Sequence, residues 1–323
     1  MSTYLVTGTT GFIAWRTASL LLEAGHHVVG VDNMNDYYDV RMKKYRLGTF
    51  DDNDSFTFYE ADIEDRTALA SIFSNHSFDA VINLAARAGV RYSMENPHVY
   101  MTTNAIGTLN LLEEMREHEI SKFVLASTSS LYAGHEMPFT ESLPVNRPLS
   151  PYAASKKAAE TMAYSYHHLY GIDISVLRYF TVFGPAGRPD MSVFRFIKWI
   201  NEGTPIILFG DGSQSRDFTY VDDIARGTIL ATRPLGYEII NLGGGRNPVS
   251  MNRLISLIEE DLGKKALIDQ KPFHKADMME TWADISKAES MLDWAPEVSL
   301  EDGVTNCIRW YKENEDWLKD VSV

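Results

Sequence analysis

The chain is predicted to form an α/β fold, a doubly wound parallel sheet with helices on both faces, joined to a smaller C-terminal domain. Two observations carry this expectation. Short apolar runs suited to buried strands alternate with helical patterns through the first half of the chain. The first of those runs also ends in a glycine turn that opens directly into a helix.

Residues 4–7 read as the first strand, and residues 18–24 lie in the helix after the glycine turn. Further strands are expected at 27–31, 80–84, 122–126 and 174–178, with a helix at 105–117 between two of them. After Tyr179 the character changes. Pro185, Gly187, Pro189, Gly203, Pro205, Gly210 and Gly212 divide the chain into short segments, as insertions following the main sheet would. Residues 237–242 are again strand-like and are expected to rejoin that sheet. The expected division is a nucleotide-binding domain over 1–179, with 219–245 returning to it, and a mainly substrate-binding domain over 180–323. There is no internal repeat, low-complexity tract or long linker.

At 323 residues and 45% hydrophobic composition, the chain can bury a large core. Its 30 basic and 44 acidic residues give a formal charge of −14, which disfavours generic binding to nucleic acid or an anionic membrane. An anionic substrate would have to be held by a few local cations. The single cysteine, Cys307, excludes an intrachain disulfide and any multi-cysteine metal site; it sits in a helical pattern and reads as a small buried hydrophobe. His167 and His168 lack a third ligand, so no metal is assigned. With no secretory leader pattern and no apolar run of membrane-spanning length, a soluble cytoplasmic protein is expected.

The turn Gly8-Thr9-Thr10-Gly11-Phe12-Ile13-Ala14 lies between the first strand and the first helix. Such a turn lets backbone approach a pyrophosphate, and the helix N-terminus then offers N–H groups and a positive dipole end. This is the Rossmann-type dinucleotide arrangement. Asp32, with Asn33 beside it, ends the second strand, where a carboxylate accepts from the adenosine ribose and repels a 2′-phosphate; NAD is therefore expected over NADP. Asp62 and Ile63 are placed to border the adenine, while Leu84, Ala85 and Ala86 leave room for the cofactor.

Tyr152 and Lys156 begin a helix after Pro151 and share one helical face. A lysine ammonium near a phenol favours the phenolate, which suits a general base. The hydroxyl run Ser127-Thr128-Ser129-Ser130 ends the fifth strand, at the edge where open α/β sheets bind ligands.

The glycine turn, Asn83-Leu84-Ala85-Ala86, the hydroxyl run and the Tyr152/Lys156 pair together resemble the extended short-chain dehydrogenase/reductases. The runs from Arg178 to Pro185, from Arg188 to Met191 and from Glu280 to Asp284 resemble the UDP-glucuronate 4-epimerase branch. The run from Arg216 to Asp223 resembles sugar-nucleotide epimerases more broadly. The resemblance implies Thr128 as the catalytic Ser/Thr, Tyr152 as base and Lys156 as its partner, with Asn104 and Tyr179 added to the cofactor side. It implies a homodimer formed through the helices at 105–117 and 153–169. It also implies that NAD stays bound while a UDP-sugar is oxidised at C4 and reduced again on the other face.

Related dehydratases carry an Asp-Glu pair where this chain has Ser129 and Ser130, and related decarboxylases a glutamate at the second position, so neither reaction is expected. Galactose epimerases usually have Asn where Thr181 stands and lack the run at Arg188; UDP-glucose/UDP-galactose epimerisation is the competing reading. Arg188 is expected to grip a uronate carboxylate bidentately, with Thr181 and Ser129 or Ser130 assisting and Arg87 and Arg91 as nearby cations; the alternative is that Arg188 caps a loop or pairs with Asp190. Val193, Phe194, Leu208 and Phe209 are expected walls for the base, Arg216 a diphosphate or ribose contact, and Asp277 a ribose acceptor. His274 and Lys275 occupy the region of a late diphosphate-binding arginine. A non-catalytic dinucleotide sensor would lack Tyr152 and Lys156, and a simple carbonyl reductase would not need the long C-terminal segment with Arg216. Because Gly8, Gly11 and Asp32 form an NAD-type site, denatured purified protein is expected to release NAD; release of NADP alone, or failure to bind NAD, would contradict this.

Overall fold

The computed structural model describes residues 1–245, 248–273 and 278–323. Its centre is a seven-stranded sheet. In chain order the strands are β1 (Thr3–Thr7), β2 (His27–Asp32), β3 (Phe56–Glu60), β4 (Ala80–Asn83), β5 (Lys122–Thr128), β6 (Asp173–Tyr179) and a last strand Tyr237–Leu242. Across the sheet the order is last strand, β6, β5, β4, β1, β2, β3, and every pairing is parallel. The direction of winding reverses between β1 and β4, which opens a crevice at their carboxyl ends. The last strand pairs with β6, as its apolar run predicted. The edge strand β3 is the least buried of the first six, so it lacks the continuous apolar run that marks the others.

Apolar clusters cover both faces of the sheet. A further core lies beyond it, built on the helices Ser192–Glu202, Met251–Leu262 and Leu300–Glu313, and it encloses Cys307. Burial pushes the Cys307 thiol well above its ordinary value, in keeping with a packing role. Among the described residues no helix is long and apolar enough to cross a membrane. Nor does any group of three or more His, Cys, Asp or Glu side chains among them stand ready for a metal.

Local chemistry fixes the helix that carries Tyr152. It spans Pro151–Tyr170, starting at a proline that needs no N–H partner. The Ser150 hydroxyl caps it by accepting from the Ala153 N–H at 3.1 Å, and Gly171 ends it in the left-handed region at φ +71°. The helix expected at 105–117 differs in its first turn: Met101–Ile106 is π-helical and leads into the α-helix Gly107–Glu117. Asn104 lies in that wide turn with its amide fully engaged, donating to the Arg87 carbonyl at 3.0 Å and to the Ser155 hydroxyl at 2.9 Å.

Beneath the Tyr152 helix, Glu160 and Arg178 form a buried pair, each side chain 1% exposed. Arg178 donates from Nε at 2.9 Å and Nη2 at 2.8 Å to the two carboxylate oxygens. The Ser127 hydroxyl donates to Glu160 at 2.7 Å, and Arg178 Nη1 donates to the Tyr132 hydroxyl at 2.9 Å. Glu160→Gln should lower stability by about 3–5 kcal/mol, because it leaves Arg178 buried without its counter-charge. A urea midpoint equal to wild type would refute that cost.

Candidate active site

The glycine turn closes the crevice from below. Gly8 has φ +69°, and a Cβ there would lie 2.8 Å from backbone atoms of Ala85 at the end of β4. A Cβ on Gly11 would lie 2.8 Å from the Gly8 carbonyl oxygen. Only glycine fits at either place. No side chain caps the helix Phe12–Glu23 that starts after Gly11, so its first N–H groups suit a pyrophosphate. Gly8, Gly11, Phe12, Ile13, Asp32, Asn33, Asp62, Ile63, Leu84, Ala85, Ala86 and Tyr179 all line one cavity of about 740 Å³. These residues fit a dinucleotide: a backbone cradle that any Cβ would fill, a carboxylate at the end of β2 and small side chains at the end of β4.

Two cofactor-side details differ from expectation. Asn104 does not line the cavity; its Oδ1 accepts from the Arg87 N–H at 2.9 Å, so it braces the loop after β4. Asp32 does not stand alone as a bare carboxylate. It accepts from the Met34 N–H at 2.9 Å and, through a buried ion pair, from Lys43 Nζ at 3.2 Å. Lys43 also lines the cavity. It sits on a short polar helix, Val40–Gly48, and periodicity gave it no distinguishing mark.

Thr128, Tyr152 and Lys156 meet in the same cavity. Burial raises the Tyr152 phenol above its ordinary value, while the nearby Thr128 hydroxyl and the Arg188 charge pull it back down. Lys156, expected to supply that pull, instead donates to the Ala126 carbonyl at 2.9 Å. Burial brings its amine down to about 8, against the opposing charge of Glu160 one turn along.

At the substrate end, Ser129, Ser130, Thr181, Arg188, Leu208, Phe209 and Arg216 line the cavity as expected. Arg87 and Arg91 do too; Arg87 Nη1 donates to Asn35 at 3.1 Å, and Arg91 lies 4.1 Å from the Phe209 ring centroid. Arg216 Nη1 donates to the Ser215 carbonyl at 2.8 Å. The bidentate edge of Arg188 is already engaged: Nε and Nη2 donate to Asp190 at 3.0 and 2.6 Å. The bidentate edge expected to grip a carboxylate is therefore occupied by Asp190 in this structure. Val193 and Phe194 are also corrected, because they point into the C-terminal core. On the helix Ser192–Glu202 the cavity receives Ser192, Arg195 and Phe196. Asp277, His274 and Lys275 lie outside the described residues.

The aromatic surround was missed by sequence reasoning. Tyr100, fully buried, packs edge-on to Tyr152 with ring centroids 6.0 Å apart. Tyr37 and Tyr38 lie against Arg188, at 5.5 and 5.8 Å from its guanidinium. The signal available was the doublet Tyr37-Tyr38, which three residues separate from the Asp32-Asn33 pair at the end of β2.

Tyr152→Phe should cut turnover of a sugar nucleotide by about 10²–10⁴-fold while NAD stays bound. Wild-type turnover should fall as pH rises through about 8, where Lys156 gives up its proton. A rate that is flat across that range, or a Phe variant of near-normal activity, would contradict these assignments.

A family model described as GDP-mannose 4,6 dehydratase matches residues 5–307. A UDP-glucuronate 4-epimerase from Thermodesulfobacterium geofontis is 59% identical over 323 residues, which is 100% of both chains. Among solved structures, the UDP-glucuronic acid 4-epimerase from Bacillus cereus in complex with UDP-glucuronic acid and NAD is 38% identical with a TM-score of 0.90, covering 97% of this chain and 99% of that one. The UDP-glucose 4-epimerase from Thermotoga maritima with UDP-glucose is 33% identical with a TM-score of 0.88, over 97% and 99% of the two chains. With the family model and whole-length relatives in agreement with the geometry of the cavity, the chain belongs to the GDP-mannose 4,6 dehydratase family, on its extended short-chain dehydrogenase/reductase epimerase side.

Proposed function

We infer that the protein catalyses NAD-dependent 4-epimerisation of UDP-glucuronate to UDP-galacturonate through a transient 4-keto sugar. The observation that carries this is the meeting of Tyr152 and Arg188 in one cavity, a proton acceptor for the C4 hydroxyl beside a cation for the C5 carboxylate.

Gly8, Gly11, Asp32, Asp62 and the small residues after β4 would hold NAD, which when bound accepts the C4 hydride and gives it back. Tyr152 takes the C4 hydroxyl proton and later returns it. Thr128 lines the same cavity as that phenol and is suited to share the substrate oxygen. Lys156 supplies positive charge behind the pair. Dehydration would need an acid and a base at the tip of β5, where Ser129 and Ser130 have only hydroxyls; the family's dehydratase description does not extend to this chain's chemistry.

Oxidising C4 of a uronate makes a β-keto acid. Such an acid loses CO₂ when the C5–C6 bond stands perpendicular to the ketone plane, so an epimerase must hold the carboxylate out of that alignment. Arg188 Nη1, with hydroxyls from Thr181 and Ser129 or Ser130, is suited to this.

We take 1–179 with 219–245 as the cofactor half and most of 180–323 as the sugar-nucleotide half. We also take the protein to be cytoplasmic and dimeric, on the strength of its single buried cysteine and of exposed Met101, Ile106, Tyr164 and Leu169 on the two long helices.

Arg188→Ala should weaken kcat/KM for UDP-glucuronate by about 1.5–3 kcal/mol and affect UDP-glucose much less. Proton NMR of products from both substrates decides the matter. Wild-type preference for UDP-glucose or UDP-galactose, or equal loss on both substrate classes, would replace the uronate reading with a general UDP-hexose one.

A further inference from the structure

Tyr37 is half-buried in the segment between β2 and the helix Val40–Gly48, and it lines the cavity. Its hydroxyl donates to the Ala88 carbonyl at 2.6 Å. Its ring lies 5.5 Å from the Arg188 guanidinium, 5.9 Å from that of Arg87 and 5.4 Å from the Tyr92 ring. Gly89 makes room for it: this residue has φ +111°, and a Cβ there would fall 2.7 Å from the Tyr37 hydroxyl.

The contacts continue on both sides. The Tyr37 N–H donates to Asn35 Oδ1 at 3.2 Å, and Asn33 Nδ2 donates to Asp62 at 2.6 Å in the cofactor-binding end. On the other side, Tyr38 accepts from Arg46 Nη1 at 2.8 Å. Arg46 is fully buried and donates to the Ala186 carbonyl from Nε at 3.0 Å and Nη2 at 2.8 Å, two residues before Arg188. Arg188 is thus fixed by a carboxylate at one edge and by two aromatic rings that belong to the cofactor half. A guanidinium resting on a ring is held in orientation as well as position.

Building on the uronate 4-epimerase reading, we propose that Tyr37 is a positioning residue for Arg188, and that its ring sets how the 4-keto uronate divides between return to epimer and loss of CO₂. In the loss, the C5–C6 bond breaks and its electron pair enters the C4 ketone as an enolate. CO₂ leaves, and C5 takes a proton to give the 4-ketopentose. Nothing beyond the 4-keto uronate and that proton is required. The ring prevents this by holding Arg188, and with it the carboxylate, away from the perpendicular alignment.

The test compares wild type, Tyr37→Phe and Tyr37→Leu on UDP-glucuronate. Released CO₂ and pentose products are measured against UDP-galacturonate, with bound NAD assayed alongside. Tyr37→Leu should raise the decarboxylated share about tenfold, the scale of one desolvated cation–π contact, with NAD content unchanged. Tyr37→Phe, which keeps the ring and loses only the bond to Ala88, should partition like wild type. If the Leu variant does not fold, Tyr37→Met has similar bulk without the ring and carries the same expectation. A slower Leu variant with wild-type partition would reduce Tyr37 to a structural brace and overturn the proposal. Leakage by the Phe variant equal to that of Leu would overturn the role of the ring. A wild-type protein inert toward UDP-glucuronate would instead overturn the uronate reading itself, and this proposal with it.

Discussion

The buried pair of Glu160 and Arg178 is the constraint on which the catalytic geometry depends. It joins the helix that carries Tyr152 and Lys156 to the strand β6, and through Ser127 it reaches the tip of β5, next to Thr128. Through Tyr132 it extends to Asn241 on the last strand. Two opposite charges in the interior of a protein are costly unless each is fully hydrogen-bonded. Here every contact that meets this need also fixes the position of an element bearing a reacting group. The Glu160 charge acts on Lys156 as well, so the same carboxylate that holds the helix supports the protonated amine one turn away.

Much of the fold was legible in the sequence because a parallel sheet covered on both faces writes itself as continuous apolar runs. The strands at Ala80–Asn83 and Lys122–Thr128 are clear instances. The cofactor end was legible for a different reason: backbone contact with a pyrophosphate demands glycine, and Gly8 and Gly11 have no room for anything else. The substrate end was less so. Val193 and Phe194 are adjacent to the cavity in sequence, yet a helix turns 100° per residue, and the face they occupy belongs to the core. Lys43, Tyr37 and Tyr100 reach the site from elements whose local pattern is ordinary; only tertiary packing shows their use. Arg188 was found by motif, but its partner Asp190 alters what the fork can grip.

The glycine turn, Thr128 and the Tyr152/Lys156 pair line one cavity together with the two serines that follow Thr128 and with Arg188. Ser129 and Ser130 offer hydroxyls and no carboxylate there, and the Arg188 charge acts on the Tyr152 phenol. The Tyr100 ring, edge-on to Tyr152, and the Asn104 amide, bonded to both Arg87 and Ser155, keep this small set of groups in register.

The ion pair between Asp32 and Lys43 bears on how the enzyme tells its two possible dinucleotides apart. A lone carboxylate would exclude a 2′-phosphate by charge, a force that acts over several ångströms and weakens as salt is added. With an ammonium 3.2 Å away, most of that far field cancels, and what remains at Asp32 is a short-range acceptor with a fixed direction. A group reaching this end of the cavity therefore meets a directed acceptor rather than an open negative charge, and the pair that shapes it is buried and little screened by salt.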